Sequence, residues 1–203
     1  MAMPSRAAHH GGRAVRRSVS CGPMNADALD LIMASLDSSL IVVTAGGDSE
    51  APPAERAGCL VGFHSQSSIS PERYSVWLSK ANHTYRVALR STHLGVHFLT
   101  RDDLQLAEHF GTQTGDDLDK FAQLETEDGP GGVPMLLACP SRIAVRRTSL
   151  LDEGGDHVCI SAEPVAAVGG APFVPLRLSD ADHLVPGHDA KERPDPPTER
   201  ATD

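Results

Sequence analysis

The chain of 203 residues has a formal net charge of −9, with 40% hydrophobic and 22% charged residues. This size and hydrophobic content suit one compact domain. The net negative charge argues against non-specific nucleic-acid binding, because nucleic-acid phosphates would be repelled. The longest apolar runs are too short to span a membrane, so neither nucleic acid nor membrane is expected as a partner.

The two ends of the chain differ in composition from the middle. Residues 1–24 are rich in Arg and lack acidic residues, a composition that is typical of a transit peptide. Alternatively, translation starts at Met24, and the residues before it are a disordered or mis-called extension. Residues 183–203 are charged and Pro-rich and have little to bury, which predicts a disordered tail. One domain is therefore expected between them, over residues 25–182.

The first part of this domain predicts a helix followed by three strands. Asn25 is a suitable N-cap, and Leu29, Ile32, Met33 and Leu36 recur after it at helical spacing. A short β-branched strand follows in SLIVVTAG, and a second strand, in AERAGCLVGF, loosens into the polar loop HSQSS. The alternation of apolar and polar residues in RYSVWLS predicts the third strand.

The remaining elements alternate between short helices and strands. A helix is predicted in NHTYRVALR, a strand in HLGVHFLT, and a further helix that begins at a capping box of Thr100 and Asp103 and ends at Gly111. Two long strands, SRIAVRRTSLLD and HVCISAEPVAAV, are joined by the hairpin turn EGG, and PFVPLRL predicts a last edge strand. Because no long helix separates successive strands at every step, the order favours a mainly β fold with α insertions, an antiparallel barrel, over a doubly wound parallel sheet.

The cysteines and histidines suggest no metal site. Cys21, Cys59, Cys139 and Cys159 are scattered and form no C-x-x-C pair, which predicts free thiols and a reducing, cytoplasmic location. His157 lies two residues before Cys159 on one strand face, but the spacing matches no known zinc pattern. His97, in the middle of a predicted strand, is expected to be a hydrogen-bonded core or interface residue.

Two polar junctions lie close together in the sequence, HSQSS and SKANHT. Taken singly, the first is typical of a solvated turn and the second of a helix cap. A helix N-terminus with a nearby lysine also suits a phosphate, so the pair predicts an anion site as an alternative. The chain has no G-x-S-x-G, G-x-G-x-x-G or P-loop motif, so a nucleotide-type ligand would not be bound in the Rossmann or P-loop manner.

The order of these segments resembles the flavin reductase-like family, whose fold is an FMN-binding, antiparallel Greek-key split β-barrel with short inserted helices. The matching segments are RAGCLVGFHSQSSISP, YSVWLSKANHTY, LGVHFLTRDDLQLAEHFG, LDKFA and GGDHVCISAEPV. They occur in the family's order over roughly residues 30–180.

The resemblance implies a site for FMN, with FAD as the alternative flavin. The ring and ribityl chain would be lined by Leu60, Gly62, Phe63, Ser65, Gln66, Ser67 and Ser68, and the phosphate would be held by Lys80, Asn82, His83 and Thr84. His157, in the Gly-Asp-His turn, would lie beside the ring as the catalytic residue, near where a nicotinamide would stack. The family also implies a homodimer, hydride from NAD(P)H, and a partner monooxygenase that receives reduced flavin.

Several positions depart from the family's pattern, among them His97, Arg146 and Arg147, and three of them at the predicted ring site keep other functions open. Leu60, Gly62 and Phe63 stand where the family often has Ser or Thr, which removes side-chain hydrogen bonds and adds an aromatic ring. One alternative is therefore a non-catalytic module that binds flavin or deazaflavin and carries electrons. Another is a dimeric scaffold with a vestigial pocket.

Overall fold

The computed structural model describes residues 25–46, 55–115, 118–169 and 171–187. The predicted N-terminal extension and most of the predicted C-terminal tail lie outside these ranges. The chain divides into two units, residues 1–36 and 37–203. Helix α1 (Ala26–Leu36) belongs to the first unit, and the backbone N–H of Ala28 donates to Asn25 Oδ1 at 3.2 Å, as expected of an N-cap.

The second unit contains nine strands and two helices among its described residues. None of the three α-helices in the described part of the chain has the length and apolar character needed to cross a bilayer. The elements in chain order are β1 (Ile41–Gly46), β2 (Arg56–Val61), β3 (His64–Ile69), β4 (Glu72–Ser79), α2 (His83–Ala88), β5 (His93–Phe98), α3 (Leu104–Thr112), β6 (Thr126–Asp128), β7 (Pro134–Leu136), β8 (Arg142–Leu151) and β9 (His157–Val168).

Seven of the strands form one antiparallel sheet in the order β2-β1-β5-β8-β9-β4-β3. The strands at the two ends of this order, β2 and β3, are consecutive in the chain and are joined by Gly62 and Phe63 alone. Two residues span only about 7 Å when extended, so the sheet has to curl until its two ends meet. The predicted antiparallel split barrel is confirmed.

The barrel buries apolar residues on both sides of strand β1. Ile41 and Val43 of β1 pack in the barrel interior with residues of the opposite wall such as Ile160. Val42, between them in sequence, points to a second cluster that includes Phe110 of α3. Because β1 is covered on both faces, all six of its residues are buried.

Two sequence predictions for these elements are wrong. The polar segment HSQSS is not a loop but strand β3, which pairs with β4 from His64 to Ile69. Four of its six residues are exposed on this edge strand, and such a strand has the polar composition of a loop. The predicted last strand in PFVPLRL forms only two isolated bridges, Thr100 with Pro175 and Ser39 with Arg177. The short hairpin of β6 and β7 was not predicted.

His97 is fully buried and links three strands. The backbone N–H of Leu136 donates to its Nε2 at 2.9 Å, and its Nδ1 lies 3.2 Å from the carbonyl oxygen of Val42. Nε2 is therefore the acceptor and Nδ1 the donor, which describes a neutral imidazole. Burial lowers the pKa of His97 from 6.5 to about 4. The expectation of a hydrogen-bonded core histidine is confirmed.

Acidification should destabilise the fold through His97. As the pH falls from 6.5 towards 4, the unfolded chain binds a proton at this residue while the folded protein does not, so the free energy of unfolding decreases and then levels off. The shift in pKa corresponds to a loss on the order of 3 kcal/mol. Denaturant unfolding at stepped pH should show a smaller decrease over this range in His97→Gln than in wild type. His183→Gln, at an exposed position, is the control, and a His97 resonance that titrates near pH 6.5 in the folded protein would contradict the assignment.

Candidate functional site

Two neighbouring cavities that share part of their walls lie beside the Gly62–Phe63 link, and we treat them as two lobes of one site. We name them the apolar lobe, about 330 Å³, and the aromatic lobe, about 240 Å³. The residues common to both lobes are Leu60, Gly62, Ser79, Asn82, His157 and Leu178. The cavity therefore forms where the two ends of the curled sheet come together.

Each lobe has its own additional walls. The apolar lobe adds Leu40, Cys59, Phe110, Gly111, Ala181, Leu184 and Pro186. The aromatic lobe adds Val61, Phe63 and Trp77. Among the residues that the structure describes, no Asp, Glu, Lys or Arg lines either lobe. Such walls suit an uncharged ring system and would leave the charged groups of a ligand outside the cavity.

One wall of the apolar lobe is a segment after the barrel, residues 176–187, which we call the strap. The backbone N–H groups of Leu178 and Gly187 donate to the carbonyl oxygens of Ser38 and Gly111. Asp37 binds the strap through both carboxylate oxygens, which accept hydrogen bonds from the backbone N–H and the hydroxyl of Ser179, both at 2.9 Å. The hydrogen bond from the Ser179 backbone lowers the pKa of Asp37 below its ordinary value of 3.8.

His157 lies at the first position of β9, opposite Ser79 of β4, and lines both lobes. Its Nδ1 is 2.9 Å from Asp156 Oδ1. Its ring makes an edge contact with Phe63, with ring centroids 5.2 Å apart and planes at 64°. The strand pairing and the two side-chain contacts hold the imidazole at the cavity wall.

The junction between β4 and α2 has charged groups that already have partners. Lys80 Nζ is 2.8 Å from Asp152 Oδ1, in the turn between β8 and β9, and the Lys80 backbone N–H donates to the carbonyl of Asp156. His83 Nε2 is 3.1 Å from Glu55 Oε1. These contacts hold the junction to the β8–β9 turn, which precedes His157, and to Glu55, next to the start of β2.

Asn82 takes the predicted N-cap position without the capping hydrogen bond, and Thr84 is buried. Asn82 is the N-cap residue of α2, but its side chain makes no capping hydrogen bond, and it lines the cavity instead. Thr84 is 2% exposed, and its hydroxyl interacts with the thiol of Cys59. Burial raises the pKa of Cys59 to about 11, so the thiol remains protonated at neutral pH.

The structure brings five of the predicted site residues together at the cavity wall: Leu60, Gly62, Phe63, Asn82 and His157. The polar residues of β3 lie elsewhere, on the exposed edge strand, where the Ser75 hydroxyl donates to Ser67 Oγ. The predicted residues that do not line the cavity are Ser65, Gln66, Ser67, Ser68, Lys80, His83 and Thr84.

The sequence reasoning missed the aromatic wall and the strap. Trp77 alternates with Val76 and Leu78 on β4, and this alternation indicates that it faces away from the barrel interior. The strap leucines Leu178 and Leu184 gave no such signal, because they follow β2 by more than a hundred residues and belong to no regular strand.

Comparison with known families identifies the class of protein. Residues 33–176 match the flavin reductase like domain model, which is more than half of the chain. The chain belongs to the flavin reductase-like family.

Solved structures support the same fold at low sequence identity. The flavin reductase HpaC, complexed with NADP⁺, is 20% identical with a TM-score of 0.64, and the match covers 77% of this chain and 95% of that one. The FMN-binding protein from Thermus thermophilus is 19% identical with a TM-score of 0.57, covering 81% of this chain and 79% of that one. A chain from Sinorhizobium meliloti 1021, 18% identical with a TM-score of 0.63, is matched over 75% of this chain but only half of its own length.

Removal of the Asp37 carboxylate should release the strap without unfolding the barrel. In Asp37→Ala the backbone N–H of Ser179 loses its acceptor, so amide exchange across residues 176–187 should become several-fold faster while β5 stays protected. In wild type, protection of the strap should persist above pH 3.8 and decrease as the pH falls through the lowered pKa of Asp37. Hydrogen exchange with mass spectrometry measures both effects. Asp182→Ala, an exposed change in the strap, is the control, and equal exchange in the two variants would contradict the role of Asp37.

Proposed function

We propose that this protein is an FMN-dependent oxidoreductase of the flavin reductase type, which takes hydride from NAD(P)H. The observation that carries the proposal is the two-lobed cavity beside His157, whose described wall residues include no Asp, Glu, Lys or Arg, in a chain of the flavin reductase-like family. The matched structures include one protein complexed with NADP⁺ and one described as FMN-binding, which supports both ligands here.

The residues present fit a flavin. The apolar and aromatic walls suit an isoalloxazine ring, and Ser79, Asn82 and His157 offer hydrogen-bonding groups for its polar edge. Lys80 is next in sequence to Ser79 and does not line the cavity, so a phosphate that it bound would stay outside the apolar walls. FMN fits this division between ring and phosphate, and FAD is the alternative.

The remaining residues that the sequence predicts to bind flavin are supported by their positions near the cavity or by their exposure. Asn82 lines the cavity, and His83 follows it at the start of α2, so both are close in sequence to the proposed phosphate position. Ser65, Gln66 and Ser67 are exposed on β3, where their hydroxyl and amide groups are accessible to a ribityl chain. Thr84 is buried against Cys59, so we assign it a structural role at the base of the site.

A bound flavin would supply a ring that accepts hydride from NAD(P)H and passes on electrons. The protein's residues bind and orient this ring and exclude water from it. Leu60 and the strap leucines cover apolar surface, and His157 is the proposed catalytic residue, because it lies in the wall of both lobes. Reduced flavin would serve a partner monooxygenase, and we propose a cytoplasmic homodimer.

A non-catalytic electron carrier is the second candidate. Leu60, Gly62 and Phe63 provide no side-chain hydrogen-bonding group in a part of the wall where the family often has Ser or Thr. Such a wall would hold a flavin or deazaflavin mainly by apolar packing. In this candidate function, another protein would reduce the bound flavin. Steady NAD(P)H oxidation by the purified protein with added FMN would exclude this candidate.

Loss of the Lys80 charge should weaken binding of FMN but not of riboflavin. The absorption spectrum of the purified protein, before and after addition of FMN, first tests whether flavin binds at all. A charge-assisted phosphate contact predicts a roughly tenfold higher Kd for FMN in Lys80→Met, with the Kd for riboflavin unchanged, measured by flavin fluorescence. Asp152→Asn is the matched control, because it breaks the same ion pair and keeps the lysine charge. An equal loss of FMN affinity in both variants would show that the ion pair holds the fold and that Lys80 does not bind phosphate.

His157→Gln should lower kcat/KM for NAD(P)H while flavin affinity changes little. We expect at least a roughly tenfold decrease, because a positioned imidazole is typically worth that or more in catalysis. Stopped-flow reduction of bound flavin measures the effect, and His93→Gln on β5 is the control. Unchanged reduction with normal flavin binding would remove His157 from the proposed catalytic role.

A further inference from the structure

Lys120 is a buried lysine that the proposed function does not use. It lies in the segment after α3 and is only 5% exposed. Its Nζ donates to the carbonyl oxygens of Phe110, at 3.0 Å, and Gly58, at 3.2 Å, and lies 5.7 Å from the centre of the Phe110 ring. Two carbonyl oxygens and one ring face provide partners for the three N–H groups of an ammonium, so these contacts suit a positively charged lysine.

The charge of Lys120 has no carboxylate partner in the part of the chain that the structure describes. The neighbouring Asp119 pairs with Arg56 instead, with 3.6 Å between Arg56 Nη2 and Asp119 Oδ2. Burial lowers the pKa of Lys120 below its ordinary value of 10.5, because desolvation disfavours the ammonium. A lysine is almost never buried so completely without a counter-ion. An anion bound close by would therefore stabilise the charged side chain.

Capping of helix α3 accounts for only part of this charge. Phe110 lies in the last turn of α3, whose free carbonyl groups together carry about half a negative elementary charge. Lys120 brings a full positive charge to the same place. Since the positive charge is the larger of the two, the surroundings of Nζ keep a net positive potential.

The ammonium lies behind the wall of the apolar lobe. Phe110, whose carbonyl oxygen accepts one of its hydrogen bonds, lines this lobe, and so does Cys59, which follows Gly58 on β2. The Cys59 thiol does not neutralise Lys120, because burial raises the pKa of Cys59 to about 11. A charge acts over several ångströms through a wall of low dielectric constant, so the lobe is electropositive on this side although its own walls are apolar.

We propose that Lys120, acting through this wall, makes the apolar lobe selective for a flat ring whose negative charge is delocalised over its atoms. The inference deepens the proposed function and rests on it for the identity of that ring, the reduced flavin. NAD(P)H gives up two electrons and one proton as hydride and becomes NAD(P)⁺, so the flavin ring gains one negative charge until it binds a second proton. Lys120 would stabilise this anionic ring relative to the neutral, oxidised one.

The preference for reduced over oxidised FMN tests this role directly. In Lys120→Met, which keeps the length of the side chain and removes its charge, the ratio of the two affinities should fall about tenfold. For a two-electron couple, this lowers the midpoint potential of bound FMN by about 30 mV. A purely structural lysine would change both affinities alike and leave the potential unaltered. Redox titration of the bound flavin measures the potential, and circular dichroism checks the fold.

Two further variants separate charge from structure. Lys120→Arg keeps the charge, so the potential should stay close to that of wild type. Arg56→Met is the matched control, because it removes an equal charge that lies over the neighbouring Phe121 ring, is paired with Asp119, and does not line the cavity. Its effect on the ratio of affinities should be below about twofold.

A probe without flavin tests the same selectivity independently. 4-Nitrophenol is a flat ring whose ionised form absorbs visible light, and the lobe, at about 330 Å³, exceeds the roughly 150 Å³ of a cavity that takes benzene. Wild type should bind the phenolate, so the visible band should persist at a pH where the free probe is protonated. In Lys120→Met, the ratio of bound phenolate to bound phenol should fall about tenfold.

The two measurements distinguish failure of this inference from failure of the proposed function. An unchanged midpoint potential in folded Lys120→Met, or an equal shift in Arg56→Met, would overturn the role of Lys120 while the flavin reductase function stands. Wild type that does not bind the probe, or binds it as the neutral phenol, would overturn it even if Lys120→Met does not fold. If FMN is not bound and NAD(P)H is not oxidised, the proposed function fails, whereas a phenolate preference that Lys120→Met loses would still assign anion selectivity to the lobe.

Discussion

The two-residue link between β2 and β3 is the constraint on which this structure depends. The two strands stand at opposite ends of the sheet order, yet only Gly62 and Phe63 separate them. A sheet whose ends are tied so closely has to curl, and the curl places β2, β4 and the start of β9 around one cavity. The residues of the link are themselves part of the cavity wall, so the same two positions close the barrel and shape the site.

The distribution of charge around the cavity follows from its apolar walls. An unpaired charge in such walls would cost several kcal/mol of desolvation, and the ionisable groups of the adjacent β4–α2 junction lie outside the walls and are paired. Lys80 with Asp152 and His83 with Glu55 hold the β4–α2 junction to neighbouring segments. Among the described residues, a ligand's ring would therefore meet walls without Asp, Glu, Lys or Arg, and its charged end would lie outside these walls.

Much of the fold could be predicted because it depends on short-range patterns. The capping box of Thr100 and Asp103 and the long hairpin of β8 and β9 are present as the local sequence indicates. Strand β3 could not be recognised, because an exposed edge strand carries the same polar residues as a loop. The contribution of the strap to the cavity wall could not be predicted either, because its apolar residues join that wall only in the folded protein, together with residues of β2 and α3.

The sequence by itself determined most of the elements and the antiparallel barrel class, since periodicity, capping and turn residues act over a few positions, and the order of its segments resembles the family that the domain match shows. Only the tertiary structure decided which side chains share a cavity. At the β4–α2 junction, Asn82 lies in the cavity wall, Lys80 pairs with Asp152, and Thr84 is buried against Cys59. These partners lie on other strands and turns, and their positions depend on strand register and on the curl of the sheet, which no local pattern encodes.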